Sequence, residues 1–86
     1  MYNIELSPAA AKFLERLARA NRKIYERIAR TIDSLKNNPF GGKKLLGELS
    51  RMRSLRVGEY RILYLIVEKI TLIQVIKVAH RKEVYR

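Results

Sequence analysis

The chain has 86 residues, 48% of them apolar, and carries 19 Lys and Arg against eight Asp and Glu, a net charge of +11. That length fits one domain, residues 1–86, with a single modest core. The absence of Cys and the single His exclude disulfide frameworks, thiolate chemistry and imidazole-rich metal sites. No apolar run reaches membrane-spanning length and the first residues do not read as a leader, so a cytoplasmic protein with a polyanionic partner and no cofactor is expected; the alternative, a charged but merely solvating surface, would mix its signs more evenly.

Residues 2–6, YNIEL, alternate Tyr2, Ile4 and Leu6 with Asn3 and Glu5, the pattern of a half-buried strand. A helix should begin next: Ser7 can cap the free N–H groups and Pro8 sits at the first helical position, where no N–H is required. Ala10, Phe13, Leu14 and Leu17 form its apolar stripe, and Asn21 breaks or caps it. A second helix is predicted over 23–37, with Ile24, Ile28, Thr31, Ile32 and Leu35 inward and Glu26 paired with Arg30 on the wet face. The junction around Ala20-Asn21-Arg22 is short enough for a helical hairpin.

The segment NNPFGG, residues 37–42, ends helix growth, and Lys43-Lys44 then precede LLGELS, which reads as irregular chain or a short turn. Three strands are predicted after it, over 51–57, 60–67 and 70–78, the last two joined by a tight turn at Glu68-Lys69. The basic ending AHRKEVYR is expected to form a single helical turn. The order strand, helix, helix, three strands gives an α+β domain, a small and mainly antiparallel sheet packed against a helical hairpin.

The stretch LRVGEYRILY carries the chemistry. A two-residue turn at Gly58-Glu59 pairs Val57 with Tyr60 and sets Arg56 directly opposite Arg61. Like charges opposite one another destabilise a ladder, whereas a phosphate between them would be gripped by both guanidinium groups. The other possibilities are that both side chains splay into solvent or that one pairs with Glu59 or Glu48. A tight turn at Glu68-Lys69 would bring Arg61 near Ile76, so that Arg56, Arg61, Arg81 and Tyr85 gather at one sheet edge. The second sheet face then presents Leu63, Leu65, Leu72 and Ile76.

The element order, the LRVGEYRILY hairpin and the ending HRKEVY resemble the RelE/ParE superfamily of toxins over nearly the whole chain, and the RelE-type messenger-RNA interferases more than the ParE-type gyrase inhibitors. The resemblance implies a metal-independent endoribonuclease that cuts messenger RNA in the ribosomal A site, the 2′-hydroxyl attacking its own phosphate. It assigns Arg61 to the scissile phosphate, Arg81 to charge stabilisation or leaving-group protonation, and Tyr85 to the attacking hydroxyl. Arg56, Arg53, Lys43, Lys44, His80 and Lys82 are the accompanying RNA-binding candidates. Where the best-studied members carry two lysines, one of them a base, this chain has Met52 and Ser54, and Lys43, Lys44 or Arg53 would have to substitute. The resemblance also implies an acidic antitoxin partner. The alternatives are a ParE-like gyrase inhibitor and a basic nucleic-acid-binding domain without catalysis.

Overall fold

A computed structural model describes residues 1–45 and 51–83. The elements are β1 (Asn3–Leu6), α1 (Pro8–Ala20), α2 (Arg22–Ser34), β2 (Lys43–Lys44), β3 (Met52–Val57), β4 (Tyr60–Val67) and β5 (Leu72–His80), with one 3₁₀ turn at Glu68–Ile70. The strands form one sheet in the order β1-β5-β4-β3-β2, with β1 parallel to β5 and every other pair antiparallel. The α+β architecture therefore matches the expectation. Lys43-Lys44, for which no element was predicted, form a short edge strand, and LLGELS, read as irregular chain, lies mostly outside the described residues. Among the described residues no helix is long and apolar enough to cross a membrane.

Ser7 does more than cap. Its Oγ accepts the Ala10 N–H at 3.0 Å and donates to the Ile76 carbonyl at 2.6 Å, so the start of α1 is tied to β5. The connection between the helices is Asn21 alone. Its N–H closes α1 on Leu17 and its Oδ1 accepts from Ile24 to open α2. Helix α2 ends at Ser34, short of the predicted Asn37. Pro39 disfavours helical geometry just before it, and the chain tightens through the Lys36 N–H to Asp33 and the Asn37 N–H to Ser34. Glu26 pairs with Arg22 (Nε–Oε1 3.3 Å) and not, as spacing suggested, with Arg30.

Both helices lie on one face of the sheet, α1 against β5 and α2 against β3. Ala10, Leu14, Leu17, Ile28, Ile32 and Leu35 meet Val57, Ile62, Tyr64, Ile73, Val75 and Val78 there. Fully burying each large aliphatic side chain in such a core contributes about 1.5–3 kcal/mol. Tyr2 and Ile4 of the first segment pack on this core, whereas Leu6 is exposed.

The β3–β4 hairpin has the predicted register, Val57↔Tyr60, Leu55↔Ile62 and Arg56↔Arg61. A positive φ is confined to Gly58 at the first turn position, as a type II′ turn requires. The β4–β5 connection differs from expectation. Glu68-Lys69 contains no glycine for a two-residue turn, and the chain instead makes a 3₁₀ turn closed by Thr71 in the left-handed region (φ 47°), pairing Val67 with Leu72 rather than Ile70. A bulge between Leu63 and Tyr64 then leaves Ile76 without a ladder partner, and its carbonyl is the one that Ser7 takes. Strand β5 accordingly runs 72–80, not 70–78, and Arg61 lies opposite Ala79 instead of near Ile76.

Candidate nucleic-acid interface

Directly paired residues share a face of the sheet. On the face away from the helices, one row reads Lys43, Ser54, Leu63, Lys77 and the next Arg56, Arg61, Ala79. Arg56 is exposed and Arg61 half-buried. Neither is in an ion pair among the described residues: Glu59, one suggested partner, is taken by Arg81, and Glu48 lies outside those residues. Lys77 was not anticipated as part of this face. Its place follows from the long turn and the bulge, neither of which has a local sequence signal, and its Nζ donates to the Glu83 carbonyl at 3.1 Å.

Arg81 follows β5 and is anchored to the hairpin turn. Its N–H donates to the Glu59 carbonyl at 2.8 Å, and its Nε lies 2.8 Å from Glu59 Oε2. The Glu83 N–H bonds to the His80 carbonyl at 2.8 Å, so 81–83 make a hydrogen-bonded turn; of the helical turn expected over AHRKEVYR, Ala79 and His80 belong instead to β5 and the last three residues lie outside the described ones. Tyr85 lies outside the described residues.

Other candidates stand elsewhere. His80, opposite Tyr60, shares the helix-side parity of that residue. Its ring meets Tyr60 edge-on at 5.7 Å, and its Nδ1 accepts the Lys82 N–H at 3.3 Å, while Lys82 itself is exposed. Arg53 pairs with Tyr64, so it too has the helix-side parity, and its Nη1 donates to the carbonyls of Gly42 (2.9 Å) and Phe40 (3.4 Å) with its guanidinium 5.1 Å from the centre of the Phe40 ring. Lys44, opposite Arg53, lines a separate cleft of about 540 Å³ with Arg51, Arg53 and Phe40. Lys43, by contrast, stands opposite Ser54 on the arginine face.

The apolar part of that face is partly closed. Leu63, expected to be exposed, is buried with Ala79 under Leu45 and Met52. Leu65, Leu72 and Ile76 are half-buried. Ser54 is also buried, and its hydroxyl has no hydrogen-bond partner among the described residues. Tyr64 belongs to the core. Its hydroxyl accepts the Gly42 N–H at 2.9 Å and donates to the Pro39 carbonyl at 2.8 Å. Burial pushes its pKa above the usual tyrosine value, against smaller opposing effects of the Gly42 bond and the Arg53 charge. Such a phenol is a structural clamp and not a proton acceptor.

Taken together, the arrangement can hold an anion at the Arg56–Arg61 pair and bring a third guanidinium to the adjacent turn. Among the described residues no three His, Asp or Glu side chains gather as metal ligands.

The profile of the ParE toxin of the type II toxin–antitoxin system, parDE, matches residues 4–85. No curated protein matches the sequence. Among solved structures, the RelBE2 toxin–antitoxin complex of Mycobacterium tuberculosis contains a chain 29% identical to this one, with a TM-score of 0.81 over 93% of this chain and 98% of that one. The YoeB/ParE toxin of Agrobacterium tumefaciens is 22% identical, with a TM-score of 0.81 and the same coverage, 93% and 98%. The archaeal RelE–RelB complex of Pyrococcus horikoshii contains a chain 24% identical, with a TM-score of 0.72 over 95% of this chain and 97% of that one. These likenesses share the two helices and the sheet described above.

Proposed function

The chain belongs to the ParE toxin family of type II toxin–antitoxin systems, and we propose that it inhibits translation as a metal-independent endoribonuclease cutting messenger RNA on the ribosome. The observation that carries this reading is the direct opposition of Arg56 and Arg61, without an ion-pair partner among the described residues, on a sheet face. A bridging phosphate turns that repulsion into charge-assisted hydrogen bonds.

In this reading Arg61 holds the scissile phosphate, with Arg56 beside it. The 2′-hydroxyl gives its proton to a base and its oxygen attacks phosphorus; the bond to the 5′-oxygen breaks and that oxygen takes up a proton on the Arg81 side, leaving a cyclic phosphate and a free 5′-hydroxyl. Negative charge grows on the phosphoryl oxygens in the transition state, where fixed cations act most strongly. Arg81 serves there, with Glu59 holding its Nε. Tyr85 is assigned to the attacking hydroxyl. Lys43 is the best candidate for the missing base, since it stands on the arginine face opposite Ser54. Lys77, Lys82 and the Lys44–Arg53 cleft supply further attraction for the RNA.

The partner proposed is an acidic antitoxin, in line with the +11 charge and with the solved complexes in which similar chains are bound by antitoxins. Half-buried Leu65 and Met52 give it apolar ground on the arginine face. A second reading, a gyrase-inhibiting toxin, is favoured by one observation: Met52 and buried Ser54 leave that strand without a lysine.

The test is a purified translation reaction in which messenger ends are mapped. Cuts within ribosome-occupied codons, bearing 5′-hydroxyl ends and abolished in Arg61→Ala and Arg81→Ala proteins that melt like the parent, are the expected result. Intact messenger together with blocked DNA supercoiling by gyrase would replace this reading with the second.

A further inference from the structure

Of the cations on α2 and just after it, Arg22 is paired with Glu26 and Lys36 with Asp33 (2.8 Å), whereas Lys23, Arg27 and Arg30 have no ion-pair partner among the described residues. Three positions apart, these two arginines neighbour one another on the helix surface. They line one cleft of about 360 Å³ with Thr31, Ser34, Arg56 and Val57. A Cβ placed on Gly58 would lie 3.7 Å from Arg27 Nη1, so this guanidinium reaches the hairpin turn next to Arg56.

Arg56 can line this cleft because of where β2 stops. That edge strand pairs only with Arg53 and Ser54, so the remainder of β3 is the rim of the sheet. Arg56 thus stands opposite Arg61 and also borders the α2 cleft. The hydroxyls of Thr31 and Ser34 donate to the helix carbonyls of Arg27 (2.8 Å) and Thr31 (2.6 Å), which leaves recognition to the guanidinium groups.

Three such groups around one small cleft repel one another until an anion enters, and their planar donors fit phosphate oxygens. We propose that Arg27, Arg30 and Arg56 form a second phosphate-binding cleft, so that a nucleic-acid strand lying at Arg61 continues around the β3 rim onto α2. This inference rests on the RNA-binding reading above. An acidic polypeptide fits less well, because the cleft offers only buried Val57 as apolar ground and docked helices or strands rely on apolar anchors.

The probe is a fluorescein-labelled 2′-O-methyl oligoribonucleotide, which has no attacking hydroxyl and stays intact, titrated with protein over a series of KCl concentrations. An Arg27→Gln/Arg30→Gln protein lacks two of the guanidinium groups that would each neutralise a phosphate. Its slope of log K against log[salt] should be shallower by about 1.4, at about 0.7 per phosphate neutralised. A control of equal charge change at the exposed residues Arg19 and Lys23, R19Q/K23Q, should keep the parental slope. If R27Q/R30Q keeps the parental slope while R61Q weakens binding, or if the control is weakened as much, the cleft is refuted and the RNA reading stands. Weaker binding of poly-glutamate alone would assign the cleft to an acidic polypeptide and overturn the proposal. No binding of the oligonucleotide by the parent protein overturns both readings.

Discussion

Tyr64 and Gly42, 22 residues apart in the chain, are joined by a 2.9 Å hydrogen bond so close-fitting that a Cβ on residue 42 would stand 2.6 Å from the phenol oxygen. The same Cβ would lie 3.0 Å from the Ser54 carbonyl. Gly42→Ala should therefore destabilise the fold by about 1–3 kcal/mol, as overpacking of a closed site does. Thermal melting should show a fall of about 4–8 °C per kcal/mol for a domain of this size.

Tyr64 predicts a pH dependence. Its folded pKa is raised above the unfolded value, chiefly by burial, so above about pH 10 the folded state retains a proton that the unfolded state has released. Stability from this group is fully present below that pH and is lost as pH rises through the folded value. Tyr64→Phe should remove this part of the alkaline decline. It should also cost about 1–3 kcal/mol at neutral pH by leaving the Gly42 N–H and Pro39 carbonyl unpaired. Urea titrations of both proteins at neutral and alkaline pH measure the two effects.

Thr71 is the non-glycine residue with a left-handed φ among the described residues, and it is β-branched. That geometry costs about 1–2 kcal/mol, of which glycine's greater freedom in the unfolded chain returns about 0.5–1 kcal/mol. Thr71→Gly should stabilise the protein by about 0.5–1 kcal/mol, seen as a higher melting temperature. An unchanged or lower value would show that the turn is not strained.

Glu59 holds Arg81 from two atoms, and both side chains are largely exposed, 62% and 57%. Solvent screening limits the pair to about 0–1 kcal/mol. Glu59→Gln should thus melt within a few degrees of the parent, yet cut RNA several-fold more slowly, with the decrease in turnover and not in binding. A variant with parental turnover would remove Glu59 as a positioning residue.

The opposition of Arg56 and Arg61 was legible in the sequence because a two-residue turn with glycine at its first position specifies register locally. Ser7 and Asn21 likewise mark helix ends through bonds to residues a few positions away, and Pro8 through the N–H it lacks. The partner of Arg81, the arrival of Lys77 on the arginine face and the diversion of Arg53 to the loop carbonyls were not legible. These depend on the Thr71 turn, on a bulge held by Ser7 and on loop 39–42 clamped by Tyr64. Sequence by itself determined the two helices, four of the five strands, most of the core stripes and one hairpin, since each rests on neighbours in the chain. Tertiary structure alone decided which cations share a surface, because one residue of slip in a strand transfers its side chains to the opposite face, and only contacts from distant segments choose the register.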